Sequence, residues 1–505
     1  MAVDFSSSLD FFWALLPEIV LSIWAMAVLL AGVWRKSDPA TASESAAALG
    51  WLSLAGLLAS AAMNGWLYGV SVLGDSGMIA ADPYRLFANW IFLLGAALTI
   101  LISFPYVYRQ RLQAGEFYTL VLLATVGMMI MAGTQNLILL FLALETMSIA
   151  SYVLTAYNRR DRRSGEAGLK YFILGAFSSG FLLYGIALVW GATGSVVLPE
   201  IAGTIESGAG FSGLLLVGMG LLVVGFAFKI GAVPFHMWTP DVYEGAPTPS
   251  TALMAATVKA ASVLAFVRVF LEGFAGLYDA WYPVVWWLAA ITIVAANLIA
   301  LTQSSVKRML AYSSIAHGGY LLIALAAANA VATASILFYL LVYTVMNVGA
   351  FGILLIVANH GEDRMHLEDY SGFGWAQPAL AVLFTIFLLS LAGFPGTGGF
   401  MAKIYLLQGA VGSELWTLAI LLALGTVVSY YYYLRVAWYM WMRPAPEGDF
   451  RAPVWAPIPM RAALLASAGV LIYLGIFPGG LLDGALVAAE GLGLLGPGGL
   501  AGSLP

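Results

Sequence analysis

Five ionisable side chains fall inside stretches of this chain that are otherwise hydrocarbon: Glu145, Lys170, Lys229, Lys259 and Lys403. A charge at the centre of a bilayer costs roughly 2.5–3.5 kcal/mol on insertion scales. Five such placements point to a device that moves charge, or holds something that does. Lysine suits that task, because its hold on a proton responds to burial and to neighbouring charge. His317, in AYSSIAHGGY, could bridge two lysines; a neutral packing histidine is the competing reading. Glu145 and Lys229 invite pairing. At ~7 Å and an effective dielectric of ~20 they attract by about 2.4 kcal/mol, so moving a charge near Glu145 would release or recapture a lysine proton. A static pair that fixes helix packing needs only one such couple, whereas here the charges recur.

At 1.5 Å of rise per residue most of these groups reach one level. Glu145 stands nine residues past Asn136, about 14 Å into its run. Lys259 stands eleven past Thr248 and His317 ten past Lys307, about 16 and 15 Å in. Lys229 precedes one glycine- and proline-bearing interruption, and Lys403 follows another. The expected arrangement is a row parallel to the membrane plane, suited to lateral proton transfer with water bridging the gaps. Lys170 comes early in its run, after YNRRDRRSGEAG, where a lysine reaching back to the interface is the competing reading. Arg435, in SYYYYLRVAWYMW, reads as an interface anchor among aromatics, since a guanidinium keeps its proton at any useful pH. His236, beside Trp238, suits an uptake path. His360 and His366 read as loop residues without a role.

The elements that must position these groups follow from composition. Of 505 residues, 62% are hydrophobic and 9% charged, and the mean hydropathy is +0.92. A soluble domain carries about 25% charged residues, so no large aqueous domain fits. Apolar runs of about 20 residues recur, each long enough to cross ~30 Å of hydrocarbon as a helix. Runs of this length satisfy their backbone as helices, not as ~10-residue barrel strands. The expected fold is an all-α membrane protein of about 14 transmembrane helices. They cover 11–33, 47–72, 83–107, 117–134, 136–158, 166–192, 211–244, 248–273, 281–303, 308–329, 331–358, 377–411, 414–442 and 459–477.

Basic residues test that count. With the N-terminus outside, the cytoplasmic loops hold Arg35, Lys36, Arg109, Arg111, Arg159, Arg160, Arg162, Arg163, Lys307, Arg308, Arg364, Arg443, Arg451 and Arg461. Only Arg85 and Arg268 fall on the other side. This asymmetry is the one that orients membrane proteins, and it places both termini on the periplasmic side of a bacterial inner membrane. The acidic start, MAVDFSSSLD, is unlike a signal peptide, so the first run is expected to remain as a span.

Spans seven and twelve are long and interrupted, by Gly231 and Pro234 in one and by Gly393, Pro395, Gly396, Gly398 and Gly399 in the other. Such breaks are tolerated in a membrane only where protein or water satisfies the freed backbone. Five spans separate them, an odd offset that gives opposite orientations and so two inverted five-helix repeats with broken helices at the transport site. The expected organisation is a three-helix segment 1–116, a first repeat 117–273, a second repeat 281–442, and a last helix with its tail 443–505. The tail from Pro478 is too interrupted for a fifteenth span and suits a surface-lying or partner-bound segment. The chain has no cysteine, which excludes thiolate-held iron–sulfur clusters, c-type haem and cysteine zinc sites within it. The thin charge of −5 suggests no nucleic-acid partner. VGMGLLVVG lies inside span seven with no strand before it, so it is a packing surface and not a nucleotide loop.

The segments LLPEI at 15–19, LALETMSIASYVLTAY at 142–157, KYFILGAFSSGFLLYG at 170–185, FKIGAVPFHMWTPDVYEGAPTP at 228–249, KRMLAYSSIAHGGY at 307–320 and GFPGTGGFMAK at 393–403 resemble the subunit N family of NADH:quinone oxidoreductase, respiratory complex I. The resemblance spans essentially the whole chain. The broken-helix segments are common to all antiporter-like subunits; LLPEI, HMWTPDVYEGAPTP and the span-twelve lysine fit subunit N best. It implies fourteen helices, two inverted repeats and proton translocation driven by quinone reduction elsewhere in the complex. The family's proton-channel positions fall on Glu145, Lys170, Lys229, Lys259, His317 and Lys403. It further implies no cofactor in this chain, with NAD, FMN, iron–sulfur clusters and quinone in partner subunits, other complex I membrane subunits and the lipid bilayer as neighbours. The Gly/Leu-rich tail is the departure. A multisubunit cation/proton antiporter shares these helices, but sodium prefers clustered oxygen ligands and the charges here are mostly lysines. A purely structural scaffold is disfavoured by five buried charges.

Overall fold

A computed structural model describes residues 2–4, 8–34, 42–73, 76–208, 212–358, 365–445 and 456–492. Arg35, Lys36, His360, Arg364, Arg451 and the tail beyond 492 lie outside the described residues. The main helices in chain order are α1 (Leu16–Trp34), α2 (Ala42–Leu67), α3 (Pro83–Arg109), α4 (Ala114–Gly133), α5 (Leu137–Thr155), α6 (Arg162–Thr193), α7 (Gly213–Ile230) and α8 (Trp238–Gly245). They continue with α9 (Thr248–Gly273), α10 (Tyr278–Leu301), α11 (Val306–Ala327), α12 (Ala330–Val357), α13 (Pro378–Ala392), α14 (Gly398–Gly412), α15 (Trp416–Met442), α16 (Ile458–Ile476) and α17 (Gly479–Glu490). One departure from an all-α fold is a parallel pair of three-residue strands, Ala2–Asp4 with Ser71–Leu73.

Short polar side chains start many of these helices. Asp82, Asn136, Asp161, Ser212, Ser305 and Asn329 each accept a backbone N–H of the first turn, satisfying donors that have no partner inside the helix. Among the described residues thirteen helices are long and apolar enough to cross a membrane. The expected span 377–411 is instead divided into α13 and α14. The expected span 211–244 is divided likewise, α7 closing on Gly231 in the left-handed conformation before α8 begins.

The α13–α14 break shows why glycine is needed there. Gly393 closes α13 at φ +84°, a conformation that side-chain-bearing residues rarely adopt. Gly399 donates its N–H to Ser390 Oγ at 3.2 Å, and a Cβ there would collide with the Ser390 backbone. The two half-helices therefore overlap side by side.

Burial sorts the helices. α9, α11 and α12 are enclosed almost completely, whereas α1, α2, α6, α15 and α16 leave much of their surface outward. Lys259 on α9 and His317 on α11 are thus surrounded by protein, the setting in which intramembrane ionisable groups are found. α17, within the tail, is a 12-residue helix packed on α3 and α12.

Candidate functional site

Of the expected carriers, three lysines and one histidine are nearly removed from solvent: Lys229, Lys259, Lys403 and His317 are at most 5% exposed. Each is held by oxygen atoms of neighbouring helices. Lys229, in the last turn of α7, donates to Ser148 Oγ at 2.8 Å and Tyr152 Oη at 3.1 Å on α5. Glu145, Ser148 and Tyr152 are spaced three and seven residues apart and so share one helical face. Glu145 and Lys229 do not form a contact ion pair; Lys229 bonds instead to two hydroxyls on the face that carries Glu145. One carboxylate oxygen of Glu145 is buried without a hydrogen-bond partner.

Lys259 follows directly on a π turn, Met254–Val258, a local widening frequent at functional positions. Its ammonium donates to both the carbonyl and the hydroxyl of Ser314 on α11. The neighbouring Ser313 shares a hydrogen bond with Tyr433 of α15. Tyr433 lies 3.3 Å from His317 Nε2, whose Nδ1 bonds Tyr339 of α12. Lys403 donates to the carbonyls of Leu391 and Ala392 at 3.2 and 2.8 Å, the last residues of α13, where a cation complements the helix dipole. Its ammonium also stands 5.4 Å from the centre of the Tyr320 ring. Tyr320 continues through Asn297 to Tyr432.

The remaining expected residues lie elsewhere. Lys170 is 42% exposed and ion-paired at 2.9 Å to both Glu166 and Asp241, so it stands apart from the buried groups. Arg308 joins the same network through Asp241 and Glu244. Lys170, Glu166, Asp241 and Glu244, with Arg163, Gly245, Met365 and His366, line an open cavity of about 380 Å³. His366, expected to be an idle loop residue, also closes a capping box on Leu367–Tyr370. His236, expected on an uptake path, is half-buried with Nδ1 unpartnered. Arg435 stands over the Tyr431 ring at 5.8 Å, and also donates to the carbonyls of Leu301 and Gln303 where α10 ends.

Sequence reasoning missed several groups. Ser148, Tyr152, Ser314, Tyr339 and Tyr433 carry the contacts above. Ser429, Tyr432, Tyr433, Val436 and Met440 form the buried stripe of α15 at helical spacing, a signal that separates the inward tyrosines from outward Tyr431. Lys307, expected in a cytoplasmic loop, is buried and donates to the Ala246 carbonyl at 2.7 Å. Arg85 and Arg268, the two basic residues expected on the side opposite the cytoplasmic loops, are fully buried in ion pairs. Arg85 meets Glu18 of the LLPEI segment at 2.7 Å, and Arg268 meets Asp82 and Glu272 at 2.8 and 3.3 Å.

A family model described as "NADH:quinone oxidoreductase/Mrp antiporter, TM" matches residues 134–429. The chain is 46% identical over 479 residues to NADH-quinone oxidoreductase subunit N of Trichlorobacter lovleyi, covering 94% of this chain and 96% of that one. It is 44% identical over 490 residues to NADH-quinone oxidoreductase subunit N 1 of Sorangium cellulosum, covering 92% and 96%. Among solved structures, a chain of respiratory complex I from Thermus thermophilus with bound aureothin superposes with a TM-score of 0.78 at 35% identity, covering 94% of this chain and 99% of that one. A chain of the Mrp complex from a Dietzia species shares the fold at 20% identity and a TM-score of 0.79, covering 94% and 97%.

Proposed function

Because this chain belongs to the subunit N family of NADH-quinone oxidoreductase, we propose that its buried lysines, Glu145 and His317 are the proton carriers of a translocating membrane subunit. The observation that carries this reading is the succession of titratable and hydroxyl groups across the enclosed helices. It runs from Ser148 and Tyr152, on the helical face that also carries Glu145, to Lys229, from Lys259 to Ser314 and, beside it, from Ser313 to Tyr433 and His317, and from Tyr320 to Lys403. Hydroxyls both donate and accept, so each can pass a proton on without becoming a charged store. Lysine and histidine supply the stores.

In this reading the half-helices α13 and α14 together make one span, giving fourteen, and α7–α8 and α13–α14 are the broken helices of two inverted repeats, 117–273 and 281–442. The segments 1–116 and 443–505 flank them. Lys170 acts at the aqueous cavity, where its ion pairs with Glu166 and Asp241 set the charge at the mouth. The chain itself carries no redox group; NAD, FMN, iron–sulfur clusters and quinone belong to partner subunits of the translocase. Lysines rather than clustered oxygen ligands on the enclosed helices favour protons over sodium as the ion moved.

Glu145 provides the direct test. Glu145→Gln removes the charge near Lys229 while keeping size, and is expected to lower proton pumping and the quinone reductase activity coupled to it several-fold. Glu145→Asp keeps the charge and retains more of both. Reconstituted vesicles with assembly measured separately give the answer, and wild-type pumping by an assembled Glu145→Gln complex would make the residue structural.

Orientation follows from the basic loops: both termini face the periplasm and the Arg159–Arg163 loop the cytoplasm of a bacterial inner membrane. Reporter fusions at residue 162 and at the C-terminus are expected to report opposite sides, and agreement between them would overturn the fourteen-span count.

A further inference from the structure

Lys307 is the second residue of α11, yet it is 4% exposed. Its ammonium donates at 2.7 Å to the carbonyl of Ala246, the residue that closes α8. α8 and α11 pack along a common seam, and the two ends of that seam differ. At one end lies the open cavity, lined by Asp241, Glu244 and Gly245 of α8; Gly245 directly precedes the carbonyl that Lys307 holds. At the other end lies Ser314, which receives the Lys259 ammonium. Ser314 follows Lys307 by seven residues, two helical turns, which puts both on one face about 10 Å apart. Tyr243, three residues before Ala246 on α8, is buried and stands about one helical turn from the carbonyl that Lys307 holds.

We propose that Lys307 is a further proton carrier, taking protons from the cavity and passing them through the Tyr243 and Ser314 hydroxyls to Lys259; this rests on the proton-translocating reading above. The side-chain chemistry allows it. Cavity water protonates the Lys307 amine to an ammonium, and that proton leaves toward the hydroxyls as a neutral Lys259 amine accepts one. A neutral amine keeps two N–H donors, so the bond to Ala246 survives the departure of the proton and the helix end stays capped. A lysine whose sole duty was to complement the end of α8 would serve equally well as an arginine.

The experiment uses the intact complex in vesicles, with Lys307→Arg and Lys259→Arg measured side by side for assembly, quinone reduction and proton uptake. Arginine keeps charge and donors but does not release its proton. Lys307→Arg is expected to assemble normally and to pump roughly tenfold more slowly, below the usual worth of a proton-transfer group because parallel water routes persist. A Lys307→Arg complex that pumps at the wild-type rate while Lys259→Arg is impaired would reduce Lys307 to a helix cap and overturn the proposal. Wild-type pumping by both variants would instead remove the reading of the whole lysine set. Where Lys307→Arg does not assemble, Lys307→Gln and Tyr243→Phe undergo the same measurement, and an unimpaired rate in either overturns the route.

Discussion

Lys403→Met and Lys403→Arg are both expected to lower coupled proton pumping by roughly 10²-fold, the scale set by proton-transfer groups. The two substitutions fail for different reasons. Methionine preserves length and apolar packing but leaves the Leu391 and Ala392 carbonyls without their donor, at about 1–3 kcal/mol for a buried acceptor left unmatched. Arginine preserves donors and charge but holds its proton. It must also fit against Gly393, where a Cβ would already come within 2.9 Å of the Lys403 side chain. Proton uptake into vesicles, normalised to assembled complex, checks both. If Lys403 serves only to cap α13, arginine works nearly as well as lysine while methionine fails, and a Lys403→Arg complex at full rate would end the relay role.

Arg268→Met is expected to cost about 3 kcal/mol of stability, the lower end of the range for breaking a buried pair. The guanidinium is fully buried and engages both oxygens of Asp82 at 2.9 and 2.8 Å, Glu272 at 3.3 Å and the Ala132 carbonyl at 2.7 Å. Removing it leaves two carboxylates without a counter-charge. They face a cavity of about 450 Å³, and that opening to water keeps the penalty from reaching the top of the range. Arg268→Lys restores less than the charge alone suggests, since one ammonium cannot reach Asp82, Glu272 and the Ala132 carbonyl together as the three guanidinium nitrogens do. Thermal unfolding of the purified complex should place Met lowest and Lys between it and wild type. Adding Asp82→Asn to Arg268→Met should recover part of the loss. An unchanged transition in Arg268→Met would mean the carboxylates find other partners.

The charges of the site were legible because each interrupts an apolar run: Lys229, Lys259 and Lys403 needed only hydropathy and depth to be singled out. Lys229 could be placed before a break and Lys403 after one from glycine and proline alone. Their partners were not legible. Whether Lys229 meets Glu145 or the hydroxyls of Ser148 and Tyr152 depends on how α5 and α7 are rotated against each other, which no local pattern records. The tyrosines were hidden by abundance, since SYYYY reads as an interface girdle until the helical stripe from Ser429 sorts Tyr432 and Tyr433 inward. Lys307 was misplaced because it adjoins Arg308, and two neighbouring cations at the start of a span look alike. Only the packing of α8 on α11 draws one inward and leaves the other paired with Asp241 and Glu244.

The buried arginines carry an implication for how the chain is made. A guanidinium withdrawn from water without a partner costs several kcal/mol, so each arginine must meet its carboxylate as the membrane portion assembles. Arg85 is paired with Glu18, 67 residues earlier in the chain, and Arg268 with Asp82, 186 residues earlier. In both pairs the acid is synthesised first. A helix bringing an arginine into the bilayer thus enters a membrane where its counter-charge is already waiting, and the order of the sequence becomes an order of docking, with α3 received by α1 and α9 by the start of α3.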